Sequence, residues 1–128
     1  AAPIFKDFYE EDYYGHRVLV ENIIDRYLNG TKTIETDAPP NVELTTLQKG
    51  QRKMVNLINF SAKRPGEATA QMEEMPSVHN ITVKIKAERE PQEVSLEPGG
   101  NSVDWKMNDG YVEILVEELG IHSFVLIE

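Results

Sequence analysis

Within the segment Val78 to Ala87 the chain alternates: Ile81, Val83, Ile85 and Ala87 share one parity, and Thr82, Lys84 and Lys86 share the other. A period of two sends successive side chains to opposite faces of an extended strand, so this segment has one apolar face and one polar face. A strand of that kind is stable only inside a sheet whose apolar face is covered by another layer. The same rhythm recurs along the chain. Val42 to Gln48 alternates loosely, Gln51 to Phe60 is more apolar, and Tyr111 to Glu117 places Val112, Ile114 and Val116 on one side. Gln92 to Glu97, Val103 to Met107 and Ile121 to Ile127 complete the set. Lys49-Gly50, Pro98-Gly99-Gly100-Asn101 and Asn108-Asp109-Gly110 separate these segments with residues suited to tight turns and positive φ. The expectation is a mainly β chain, an antiparallel β-sandwich of about seven strands.

One segment has a different period. Val20, Ile23, Ile24, Tyr27 and Leu28 fall at the spacing of an amphipathic helix, which predicts a single N-terminal helix from Gly15 to Asn29 with this stripe buried. Asn29-Gly30 supplies a helix C-terminus. Asp37-Ala38-Pro39-Pro40-Asn41 then stops regular structure, because proline fixes φ and lacks a donor, and marks the best domain boundary. Before the helix, Phe5, Phe8, Tyr9, Tyr13 and Tyr14 gather much aromatic surface in a short stretch. They suit packing against a preceding domain or folding back on this chain's own core, and both readings stay open. From Ser61 to Ser77 neither period is sustained, and a long loop is expected.

The chain's 128 residues suffice for one domain with its own core. Thirteen Lys and Arg against 22 Asp and Glu leave a net charge of −9, which repels phosphate backbones and anionic lipid. Neither nucleic acid nor membrane is expected as a partner. With no Cys there are no thiol nucleophiles, disulfides or thiolate metal sites. This stretch has no signal peptide or apolar run long enough to cross a bilayer, which leans towards the cytoplasm. His16, His79 and His122 are too dispersed for a local metal motif, and no metal or cofactor is expected. The acidic pairs Glu73-Glu74 and Glu117-Glu118 and the run Glu10-Glu11-Asp12 read as solvated surface. Catalysis by two carboxyls needs groups in different environments around a cleft, so no catalytic residue is assigned.

Four residues have side chains suited to binding. Asn56 and Asn59 interrupt the apolar run Met54–Phe60, and a carboxamide inside a strand has to find partners. They either bridge to neighbouring backbone or, with an exposed ring such as Trp105 or Tyr111, form a sugar-binding set of planar amides and aromatic faces. Trp105 likewise serves either as a lid on the core or as a stacking platform.

Taken in order, several segments resemble one family: His16-Arg17-Val18-Leu19, Asp37-Ala38-Pro39, Met54-Val55-Asn56-Leu57-Ile58-Asn59-Phe60, Pro76-Ser77-Val78-His79-Asn80-Ile81, Leu96-Glu97-Pro98-Gly99 and Ile121–Glu128. The resemblance is to the C-terminal region of β-galactosidase-like glycoside hydrolases of family 42. It implies a catalytic TIM barrel, then an amidotransferase-like α/β domain, then a small β-sandwich. On that basis residues 1–37 are the tail of the α/β domain and residues 42–128 the terminal sandwich. The family's catalytic glutamates lie on the barrel, so none is carried over. The expected function is a non-catalytic module that stabilises and orients a larger carbohydrate-active enzyme. Its partners would be the preceding domains of the parent chain and, in an oligomer, a second copy. The alternative is a carbohydrate-binding module using Asn56, Asn59, Trp105 and Tyr111.

Overall fold

A computed structural model describes Lys6 and residues 14–60 and 75–128 of the chain. The aromatic-rich segment before Tyr14, the acidic groups at 10–12 and 73–74, and most of the loop expected from Ser61 to Ser77 lie outside the described residues. The chain divides into two units, residues 1–32 and 33–128.

In the first unit, helix α1 spans Tyr14–Leu28. An Arg17–Glu21 pair at 2.7 Å lies one turn apart on its surface, and Lys32 reaches back to Asp25 at 2.7 Å. Asn29 (φ 46°) and Gly30 (φ 76°) end the helix in the left-handed region. There the Asn29 amide still donates to the Asp25 carbonyl. The helix is where the periodicity put it, but the predicted stripe is not buried: Ile23 is 47% and Tyr27 86% exposed, and Ile24 and Leu28 are exposed too. An amphipathic period shows which side of a helix is apolar, and it does not specify what covers that side.

The second unit is an antiparallel β-sandwich. Its strands are β1 (Ile34–Thr36), β2 (Val42–Lys49), β3 (Arg52–Asn59), β4 (Val78–Lys86), β5 (Val94–Glu97), β6 (Asn101–Ser102), β7 (Trp105–Asn108), β8 (Tyr111–Leu119) and β9 (His122–Ile127). Sheet A has the order β1-β4-β8-β7 and sheet B the order β2-β3-β9-β5-β6. Among the described residues nine strands form where about seven were expected. The two extra ones, β1 and β6, are too short to show a period. Because β1 pairs with β4 from Ile34↔Ile85 to Thr36↔Val83, the unit boundary falls at Lys32, ahead of the Asp37–Asn41 turn.

The alternation seen in the sequence sets the core. Ile81, Val83 and Ile85 of β4 and Val112, Ile114 and Val116 of β8 face inward from sheet A. Val55 and Leu57 of β3 and Val125 and Ile127 of β9 face them from sheet B. Apart from Leu57 and Leu119, the fully buried hydrophobic residues are all β-branched, the class that fits a pleated surface with least loss of rotamer freedom. Each such side chain contributes about 1.5–3 kcal/mol on burial.

The turns fix the register. Asp109 (φ 49°) and Gly110 (φ 79°) form a two-residue loop with both φ values positive, the hairpin turn whose twist matches its strands, and it sets Asn108 opposite Tyr111. Gly50 (φ 62°) opens the corresponding loop between Lys49 and Arg52. The Glu97 carboxylate accepts hydrogen bonds from the amides of Gly99 (3.0 Å) and Gly100 (2.9 Å), which holds the β5–β6 turn.

Asn59 and Ser95 are the polar residues buried among the described side chains, and Asn59 is the more deeply buried. It is 2% exposed, and its Nδ2 donates to the carbonyls of Pro76 and Gly120, each at 2.9 Å. Its Oδ1 accepts from Asn41 Nδ2 at 3.3 Å. Asn59→Ala removes the donor from two part-buried hydrogen bonds, and Asn59→Asp puts an acceptor in its place. Each is expected to cost about 2–3 kcal/mol in urea unfolding. A second test separates backbone conformation from packing: an added Cβ meets no atom within 4 Å at either Gly110 or Gly120, but only Gly110 has positive φ. Gly110→Ala is therefore expected to lower stability by about 1 kcal/mol, while Gly120→Ala leaves it equal or slightly raised.

Candidate functional site

The pleat assigns each sequence candidate to a face. Asn59 faces the core, where its amide is occupied by the three partners above. Asn56, three residues earlier, points to the outer face of sheet B, and its Nδ2 donates to Thr45 Oγ1 on β2 at 3.3 Å. The two amides therefore do not converge. Trp105 and Tyr111 both belong to sheet A, on either side of the β7–β8 turn. Trp105 lies opposite Ile114 and packs partly on the core, while Tyr111 has the outward parity of Glu113 and Leu115. The structure thus brings the two aromatic candidates to one sheet and leaves the two amides on the other.

The outer face of sheet A is built by register. Glu35 on β1 lies opposite Lys84 on β4, Lys84 opposite Glu113 on β8, and Glu113 opposite Lys106 on β7. A row of alternating charge therefore crosses all four strands. Glu113 sits between both lysines, with Lys106 Nζ at 3.2 Å and Lys84 Nζ at 3.7 Å. In the adjacent row Leu115 lies opposite Thr82. Where β1 ends, side chains continue its ladder: the Thr82 amide donates to Asp37 Oδ1 at 2.7 Å, and Thr36 Oγ1 donates to the Thr82 carbonyl at 2.8 Å. This fixes Asp37 over the strand edge.

Two hollows lie on this face. One, of about 380 Å³, is lined by Glu35, Asp37, Thr82, Lys84 and Glu113. The other, of about 320 Å³, is lined by Thr82, Asp104, Trp105, Lys106, Glu113 and Leu115. They share Thr82 and Glu113, so they adjoin across the strands and together make a shallow, open groove on this face. Sequence reading missed this set. The outward parity of Thr82 and Lys84 was visible, but the pairing of β1 and β7 onto that face is non-local and left no signal. A third hollow, of about 420 Å³, lies at one end of the sandwich beside Gln48, Gln51, Lys53, Arg89 and Glu128. Its polar groups are engaged with one another: Arg89 donates to Gln51 Oε1, Arg52 pairs with Glu128 at 2.8 Å, and Lys53 Nζ donates to the Lys86 carbonyl at 2.6 Å.

His16, His79 and His122 fall on α1, β4 and β9. Among the described residues no three His, Asp or Glu side chains stand close enough to hold a metal ion. No helix among the described residues is long and apolar enough to cross a membrane.

No protein-family profile matches the chain, and no curated protein matches it. Among solved structures, the chain is similar to α-L-fucosidase isoenzyme 2 from Paenibacillus thiaminolyticus, with a TM-score of 0.86 and 22% identity. That match covers 98% of this chain and 19% of the fucosidase chain. It is also similar to a cycloisomaltooligosaccharide glucanotransferase from Paenibacillus sp. complexed with cycloisomaltoheptaose, with a TM-score of 0.56 and 17% identity. Here 73% of this chain and 16% of the other are covered. At these identities the likeness is one of fold. Both neighbours are chains of carbohydrate-active enzymes, and this chain spans less than a fifth of either.

The charge row is expected to be a surface feature with little weight in stability. A double-mutant cycle on Lys106→Ala and Glu113→Gln is expected to return a coupling below about 1 kcal/mol that shrinks further as salt is raised.

Proposed function

We propose that this chain is a non-catalytic β-sandwich module of a larger carbohydrate-active enzyme, one that stabilises and orients the parts of that enzyme beside it. The observation that carries this reading is the fold match to the fucosidase, which takes in 98% of this chain and 19% of the other. A stretch that is nearly whole here and a minor fraction there fits an accessory unit. The glycoside hydrolase family 42 resemblance belongs to the same reading, with the first 32 residues as the end of an α/β domain and the partners as the other domains of the parent chain.

The exposed apolar residues of α1 support such a role. A helix of 15 residues, rich in β-branched side chains, is marginal in water without tertiary packing. A second reading, carbohydrate binding by the sandwich itself, is favoured by one observation: Trp105 and Tyr111 lie on the sheet whose outer face carries the groove. The test of the first reading is turnover. The 128-residue chain is expected to release no chromophore above buffer from 4-nitrophenyl fucoside, galactoside or glucoside, and hydrolysis abolished by a single carboxylate substitution would overturn it.

A further inference from the structure

We propose that the groove across sheet A is a binding site for a neutral oligosaccharide, which rests on the reading of the chain as a carbohydrate-active enzyme module and deepens it. The groove crosses four strands, and three inter-strand spacings make it about 14 Å long. That suits a short chain of sugar rings better than a compact metabolite. Each of its two hollows has the volume of an ordinary small-ligand site.

The lining matches the two surfaces of a pyranose. A sugar ring has a rim of hydroxyls, each able to donate and accept, and a face of C–H groups. The carboxylates of Glu35, Asp37 and Glu113 accept, the ammonium groups of Lys84 and Lys106 donate, and Thr82 does both. Register holds them at fixed intervals across the sheet, so little ordering is required when a ligand arrives. At the β7 end, Leu115 supplies an outward apolar surface on which a C–H face can rest, while Trp105 borders the hollow from the core side.

Charge selects among saccharides. Four carboxylates, those of Glu35, Asp37, Asp104 and Glu113, line the groove against two lysines, and the whole chain carries −9. A uronic or sulfated chain would be repelled, and a neutral one would not. The larger hollow at the sandwich end is a weaker candidate, because no aromatic ring borders it.

Trp105 is the chain's one tryptophan and borders the hollow at the β7 end, so its emission is read beside the heat of binding. The 128-residue chain is titrated with isomaltoheptaose, cellohexaose and mannohexaose, and with tri-galacturonate as the anionic comparator. At least one neutral probe is expected to give a saturable change in heat or emission with a Kd of about 1 mM or tighter. Glu113→Gln and Lys106→Ala are each expected to weaken it about tenfold with unchanged circular dichroism, while Glu43→Gln on sheet B leaves it unchanged. No change with any neutral probe, tighter binding of tri-galacturonate, or equal weakening by Glu43→Gln would overturn the proposal. The two readings fail separately. A silent titration removes the groove and leaves the accessory module standing, whereas glycoside turnover removes the non-catalytic reading whatever the titration shows.

Discussion

The sandwich depends on one buried carboxamide. Asn59 sits at the end of β3 in a largely aliphatic core, and its side chain ties the flanks of its own sheet neighbours, β2 and β9, to the segment that enters β4 in the other sheet. The Pro76 carbonyl lies just ahead of β4, the Gly120 carbonyl lies between β8 and β9, and Asn41 precedes β2. Backbone bonds add to the knot, with the Asn59 amide donating to the Ile121 carbonyl and the Phe60 amide to that of Asn41. Hydrophobic burial is non-directional and does not choose between nearby registers of smooth β-branched faces, whereas an amide with fixed donors and acceptors does. Among the described strands the chain changes sheet five times, and this clasp draws together three of those crossings: β1 to β2 at Asn41, β3 to β4 at Pro76 and β8 to β9 at Gly120.

With the interior settled, the two outer faces differ. Sheet A carries the Glu35–Lys84–Glu113–Lys106 row, while the outward residues of β3 and β9 in sheet B include Met54, Ile58, Phe124 and Leu126. A polar, hydrogen-bonding face and a more apolar one on opposite sides of the same sandwich suit different kinds of contact: exchangeable and wet on sheet A, drier on sheet B. The proposed module role and the proposed groove therefore do not compete for the same surface.

Much of this was legible locally. The strands β4 and β8 and the Asp109-Gly110 turn are stated by period and residue type, because alternation and positive φ are properties of a few consecutive residues. Even the separation of Asn56 from Asn59 was written in the chain, since a spacing of three in a strand puts two side chains on opposite faces. What the sequence could not state was the neighbour of each strand. β1 finds β4 at separations of 47 to 51 residues, and the groove exists only because β1, β4, β8 and β7 lie in that order. The helix gives the complementary case: its period was read correctly, yet a stripe of apolar residues carries no information about what lies over it.

The short first strand has one more effect. Beyond Thr36, both backbone groups of Thr82 that an incoming strand would seek are already occupied, the amide by Asp37 and the carbonyl by Thr36. An open margin of a sheet is a template on which foreign polypeptide can polymerise, and a pair of side chains that imitates the missing strand denies it a foothold. In a protein with so many valines and isoleucines, that stopper guards solubility at the point where the sheet would otherwise be open to fibril growth.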